Sequence, residues 1–203
     1  MKKQQQYIMK IVVEPYSPQW GIAFEQLSEV YQEQLCGLLS GIEHIGSTSV
    51  WGLASKPVLD IDLIIDDASA LPSITEKLEK LGYTGKGIVE IPERYVFTAD
   101  SPFIPFTDPS KMWMKHNLYV CIKGSTALKN HISFRNYLRN NTEAAARYAN
   151  LKYQLAASSE SIGQYVSDKT EFISGALRQC GLSESELGEI RKVNMVSDNK
   201  SKE

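Results

Sequence analysis

The chain has few of the residues that most often reveal a function. It has three cysteines, Cys36, Cys121 and Cys180, an odd number set far apart, with no CxxC pair and no Cys/His ligand cluster. That excludes a disulfide framework and a zinc-finger-like site, and reads as reduced thiols in a cytoplasmic protein. No apolar run approaches membrane-spanning length, and Ile11-Val12-Val13 is far too short for a signal-peptide core, so we expect no membrane association. Charge of one sign is also missing. The formal net charge is −2 over 203 residues, so no global field draws the protein to nucleic acid, and a nucleic-acid partner is not expected. Thr84-Gly85-Lys86-Gly87 and Lys123-Gly124-Ser125-Thr126 look phosphate-friendly, but neither matches G-x-x-x-x-G-K-[ST]. There is no G-x-G-x-x-G dinucleotide turn and no G-x-S-x-G nucleophile elbow.

What is present is one dense stretch, His44 to Asp66. Val58 to Ile65 reads as a strand. Residues two apart on a strand share a face, so Asp60 and Asp62 stand side by side, with Leu59, Ile61 and Leu63 opposite. Adjacent carboxylates on a largely buried strand repel and are costly to desolvate. A hard divalent cation, Mg²⁺ or Mn²⁺, relieves that cost, and such ions are typically held by one or two carboxylates plus substrate phosphates. Upstream, Gly46-Ser47 opens a turn where backbone approaches closely and free N–H groups attract phosphate. Metal clamp and phosphate cradle together point to phosphoryl or nucleotidyl transfer to an acceptor. Gly46, Ser47 and Ser49 are also readable as no more than a turn and a helix cap. Lys56 is either solvated, paired with the aspartates or set beside a phosphate.

Around this stretch the chain reads as α+β, with strands first and helices last. Ser17-Pro18 starts an amphipathic helix carrying Trp20, Phe24, Leu27, Tyr31, Leu35 and Leu38 and ending near Gly41. Ile8–Glu14, Ile42–Ile45, Ile88–Ile91, Arg94–Phe97 and Met114–Ile122 are strand candidates. Asp66 or Asp67 caps a helix stopped by Gly82. Three proline residues make 101–110 a loop. Helices are expected over Ala127–Asn140, Thr142–Ala157 and Ser161–Gln179, with Gly181 as terminal cap; the polar tail beyond Ser183 carries a weak helical stripe at Leu187 and Ile190 and reads as a dangling helix or a disordered tail. The division is an α/β core at 1–125, a helical region packed on it at 126–182, and the tail at 183–203.

The motifs together resemble a known family. Gly-Ser followed by Asp-x-Asp on a strand is similar to the core of the nucleotidyltransferase superfamily. More narrowly, His44-Ile45-Gly46-Ser47-Thr48-Ser49-Val50, Gly52-Leu53, Lys56-Pro57 and Asp60-Ile61-Asp62 resemble the GrpB family. So do Phe134-Arg135-x-Tyr137-Leu138, Tyr148-x-x-x-Lys152 and Tyr165-x-x-x-Lys169-x-x-Phe172-Ile173. The resemblance runs from about Ile11 to Cys180. It implies a nucleotidyltransferase-like mixed sheet with flanking helices and a C-terminal helical bundle. It also implies a nucleoside triphosphate (NTP) as substrate, and Lys152, Tyr165 and Lys169 as groups handed to the triphosphate, although a solvated face with one packed tyrosine reads equally well. It names no acceptor, which is a small molecule or a protein.

Two departures matter. A nucleotidyltransferase usually carries a third carboxylate on a neighbouring strand, as metal ligand or base. The matching strand here offers Asn117 and Tyr119, leaving Glu90 and Glu93 as distant substitutes. The family also tends to a His-x-x-His-like strand, where this chain keeps His116 and has Tyr119. His116 is therefore a possible base. His44 is expected to shape the Gly-Ser turn, His131 to lie on the surface, and Trp51 to pack in core or loop. Arg94 and Arg135 are further phosphate partners or ordinary surface residues. A catalytically inactive nucleotide-binding or protein-interaction module on the same fold is the alternative reading.

Overall fold

The computed structural model describes residues 11–89 and 91–191. The sheet has five strands, β1 (Gly41–Ile45), β2 (Leu59–Ile65), β3 (Thr84–Ile88), β4 (Arg94–Thr98) and β5 (His116–Ile122), in the order β1-β2-β5-β4-β3. Only β2 and β5 run parallel; the other neighbours are antiparallel, so the sheet is mixed. Helices α1 (Gln19–Gln34), α2 (Leu71–Lys80), α3 (Thr126–Asn140), α4 (Thr142–Ser158), α5 (Ile162–Asp168) and α6 (Thr170–Gln179) complete an α+β architecture. No helix among the described residues is long and apolar enough to cross a membrane.

Strand alternation sorts the chemistry. Leu59, Ile61, Leu63 and Ile65 of β2 and Leu118 and Val120 of β5 bury fully against Leu27 and Tyr31 of α1 and Ile74 and Leu78 of α2. Each such side chain contributes about 1.5–3 kcal/mol on leaving water. That packing fixes register, because a one-residue slip would drive the aspartates into this core. The other face carries Asp60 and Asp62 beside Asn117 and Tyr119 and meets the C-terminal helices.

Local chemistry sets the element ends. Asp67 accepts a hydrogen bond from the Ser69 N–H at 2.7 Å ahead of α2. Ser125 caps α3 through the Leu128 N–H at 3.3 Å. Gly181, at φ 87°, ends α6, with the Leu182 N–H returning to the Leu177 carbonyl.

Three expectations are corrected. Helix α1 stops at Gln34 rather than near Gly41, and Gly37 at φ 76° turns the chain. The strand expected at Ile88–Ile91 lies earlier, at Thr84–Ile88. The single helix expected over 161–179 breaks at Lys169 into α5 and α6. Beyond Ser183, residues 184–191 are helical, and Leu187 is buried against Leu177 and Leu182. The arm expected at Ile8–Glu14 lies partly outside the described residues, and Glu14 forms an isolated bridge with Ser55.

Candidate functional site

The site is built where β1 hands over to β2. Gly46 sits at φ 68°, and a Cβ added there would stand 2.2 Å from Asp60 Oδ2, so only glycine lets this turn lie against the carboxylate. Ser47–Ser49 forms a short 3₁₀ turn. Ser49 Oγ donates to the Gly46 carbonyl at 2.6 Å and so closes the turn from within. Thr48 is buried and bonds His44 Nε2 at 3.0 Å, so His44 holds the base of the turn while stacking on Phe24 at 4.6 Å.

The two aspartates point the same way but differ in environment. Asp60 is partly exposed, and its Oδ1 accepts from Asn117 Nδ2 at 2.7 Å. Burial raises its pKa, while Asn117, His131, Lys169 and Lys56 pull it back down. Asp62 is fully buried. Its Oδ2 pairs with His131 Nδ1 at 2.8 Å, and its Oδ1 is buried with no hydrogen-bond partner. The Cys121 thiol lies against the same carboxylate and is pushed up by burial and by that charge. The carboxylates are therefore not bare, as sequence alone suggested: each has one oxygen engaged by a neighbouring side chain.

On one side of Asp60 the expected basic residues assemble. Lys169 Nζ lies 4.3 Å and Lys56 Nζ 5.3 Å from the centroid of the buried Tyr165 ring. Lys152 lies 4.7 Å from the Tyr148 centroid, donates to the Ala54 carbonyl and is buried. The Tyr148 hydroxyl in turn interacts with Ser47. Burial, reinforced by the neighbouring Lys169, lowers Lys152 to about 7. Burial and Lys56 lower Lys169 to about 8 against the opposing pull of Asp60. Crowded, desolvated ammonium groups of one sign form an environment that an anion relieves. Lys169, where α5 gives way to α6, lies one turn beyond Tyr165 and so on the same face.

On the other side, a cavity of about 240 Å³ is lined by Gly46, Asp60, Arg94, Tyr119, Asn130 and His131 together with apolar residues of α3 and α6. His131, expected at the surface, thus belongs to the site. Helix α3 carries Asn130 and Arg135 among its buried residues Leu128 and Leu138, and polar residues on a buried helical stripe are the signal that identifies such a site.

Other expected residues are not brought there. His116 is on the opposite face of the sheet, where its Nε2 lies 2.5 Å from the Tyr83 hydroxyl and 3.3 Å from the Tyr31 hydroxyl. It pairs in register with the core residue Leu59, so it is not positioned as a base for chemistry at Asp60. Trp51, expected to pack in core or loop, is 84% exposed. Arg135 serves structure, donating to Glu43 at 2.5 Å and to the His44 carbonyl at 3.0 Å. Glu93 is exposed at φ 59° in the turn before β4, and Glu90 lies outside the described residues.

Fold and site together define an α+β protein with an Asp-x-Asp strand set between a cluster of lysines on tyrosine rings and a cavity that His131 helps to line. The chain belongs to the GrpB family, whose model, described as GrpB protein, matches residues 10–179. The UPF0157 protein YqkA of Bacillus subtilis is 32% identical over 168 residues, covering 82% of this chain and 46% of that protein, so the chain spans about half of that relative's length. The glutamate-rich protein GrpB of Alkalihalophilus pseudofirmus is 25% identical, covering 84% of this chain and 95% of that protein. Among solved structures, the crystal structure of conserved protein GrpB from Enterococcus faecalis superposes with a TM-score of 0.69 at 28% identity, over 84% of this chain and 100% of that one.

Proposed function

We propose that the chain is a nucleotidyltransferase, transferring a nucleoside monophosphate from an NTP to an acceptor hydroxyl or amine with release of pyrophosphate. The carrying observation is the placement of Asp60 within electrostatic reach of both Lys56 and Lys169, at a turn that only Gly46 permits. This is the arrangement a metal–triphosphate requires: oxygen ligands on one side and ammonium groups on the other.

The donor set suits Mg²⁺ or Mn²⁺. The partly open Asp60 carboxylate and the unpartnered buried Oδ1 of Asp62 are hard oxygen ligands on one strand face. Such an ion supplies charge neutralisation at the phosphates when bound. The protein's own groups position the substrate. Ser47 and the backbone at the Gly46 turn face the phosphates. Lys56, Lys152 and Lys169 balance their charge, and Tyr165 and Tyr148 carry the ammonium groups on their ring faces.

A second reading keeps the same site without turnover. Its support is β5, where Asn117 and Tyr119 stand opposite Asp60 and Asp62 and no acid is offered. One assay separates the two. The protein is incubated with α-labelled NTPs, Mg²⁺ or Mn²⁺, and a bacterial extract. Pyrophosphate release that Asp60→Ala abolishes supports transfer. Nucleotide binding without release supports the inactive module, and neither binding nor release overturns both.

A further inference from the structure

The groups around Asp60 lie in order across one end of the sheet. The Gly46 turn, at the end of β1, lies against Asp60 Oδ2, and Asn117 of β5 donates to the other carboxylate oxygen, Oδ1, at 2.7 Å. Neighbouring strands are about 4.8 Å apart, so β4 lies roughly 10 Å beyond β2 on the Asn117 side. The pairing of β4 with β5 ends at Phe97–Leu118, and past that pair a cavity of about 410 Å³ opens beside Asn117. Lys115 on its wall is within electrostatic reach of Lys56, so the cavity stands next to the proposed metal–phosphate site.

The outer wall of this cavity is pinned in place. In the connection from β4 to β5, the Trp113 N–H donates to the Pro102 carbonyl and the Trp113 indole to the Pro105 carbonyl, each at 2.8 Å. The Phe106 N–H donates to the Leu81 carbonyl at 2.8 Å, and Ile104 is buried in the core. Preformed cavities of ~300–1,000 Å³ with mainly apolar walls and a few polar groups are the usual form of a small-molecule site. This cavity has that make-up. Val96, Trp113 and Met114 line it half-buried, and Thr98, Asp100 and Lys115 line it from exposed positions. The opposite charges of Asp100 and Lys115 give no basic track along which a phosphate backbone could run.

Resting on the transferase reading, we propose that this cavity is the acceptor site and takes a small molecule with a mainly apolar body and a nucleophilic hydroxyl or amine. In an in-line displacement the acceptor meets the α-phosphorus from the side opposite the departing pyrophosphate. The Gly46 turn and the lysine cluster draw the departing phosphates, which leaves the β5 side of Asp60 to the acceptor. The cavity opens on that side. In the transfer step, the acceptor oxygen or nitrogen bonds the α-phosphorus, and its O–H or N–H proton passes to water. The bond from the α-phosphorus to its bridging oxygen breaks, and pyrophosphate departs with that electron pair. Asn117, which bonds Asp60 and lines the cavity, borders both substrates.

The test uses the full chain, Mg²⁺ and α-labelled NTPs with a bacterial extract split by ultrafiltration into macromolecular and low-mass fractions. The low-mass fraction is split again on a reversed-phase column. The proposal expects label in a small adduct formed from the retained, apolar part. Thr98→Trp and Asp100→Trp each bring an indole to the cavity from an exposed wall position. Each should lower kcat/KM for the retained part at least tenfold, while Mg²⁺–NTP raises the melting temperature as in wild type. Label on macromolecules alone, product from the unretained low-mass part alone, or both variants at wild-type kcat/KM overturns this assignment and leaves the transferase reading standing. If a variant with wild-type melting temperature loses the NTP-induced rise along with transfer, the cavity belongs to the nucleotide, and the assignment is overturned too. No pyrophosphate release with any fraction overturns both.

Discussion

Asn117 donates to Asp60 at 2.7 Å from the register position directly across the β2–β5 pair. The contact favours the ionised carboxylate against the desolvation that raises its pKa. Asn117→Leu removes that support at nearly constant volume. We expect Mg²⁺–nucleotide affinity to fall about tenfold, as loss of a ligand-orienting partner typically does. The dependence of affinity on Asp60 ionisation should also move to higher pH. Calorimetric titration across a pH series checks both.

Two glycines give opposite outcomes. Gly46→Ala places a methyl 2.2 Å from Asp60 Oδ2 at a φ of 68°, so it should destabilise by at least about 1–2 kcal/mol and abolish nucleotide binding. Gly175→Ala, inside α6 with nothing within 4 Å of the new methyl, should stabilise by about 1 kcal/mol and leave binding intact. Urea denaturation of the two variants reads the difference.

Lysine ionisation makes nucleotide binding pH-dependent. With Lys152 at about 7 and Lys169 at about 8, the free protein at pH 8 carries a large share of neutral amine in this lysine cluster. A triphosphate favours the charged forms, so binding at pH 8 should take up roughly one proton, and affinity should weaken as pH rises above that point. Titration calorimetry in buffers of different ionisation enthalpy counts the protons. Zero uptake would show that the lysines do not face the nucleotide.

Stability should fall on acidification through His44. Burial, with Arg139 and Arg135 nearby, lowers its pKa from 6.5 to about 4. Between those values the unfolded chain takes up a proton that the folded one refuses. The stability from the neutral ring is complete above about pH 6.5 and is lost as pH falls toward 4, on the order of 3 kcal/mol in all. Denaturation midpoints at pH 7 and pH 4.5 should differ less in His44→Gln than in wild type.

Much of this arrangement is legible in the sequence because it is local. The β2 alternation places Asp60 and Asp62 together, Gly46 marks the tight turn, and Tyr165 and Lys169 lie one helical turn apart. His116 shares strand parity with Leu118 and Val120, so its place on the core face is legible from the same alternation. The Asp62–His131 pair joins residues 69 positions apart, and no local pattern encodes a distance across the fold. The helix break at Lys169 is equally hidden, since the apolar stripe continues through it. Trp51 is exposed because the turn that carries it faces outward, which composition does not reveal.

The central claim is that Asp60 and its lysine neighbours bind a metal–triphosphate together. The most direct measurement is the melting temperature with a non-hydrolysable NTP, with and without Mg²⁺, in wild type and Asp60→Asn. At a hundredfold excess over Kd, a single site adds about 2.7 kcal/mol. For a chain of this size that corresponds to a rise of roughly 5–10 °C. The account predicts that rise in wild type with both ligands present, and its loss on omitting Mg²⁺ or changing Asp60. An equal rise in Asp60→Asn, or none in wild type with any NTP, would contradict it.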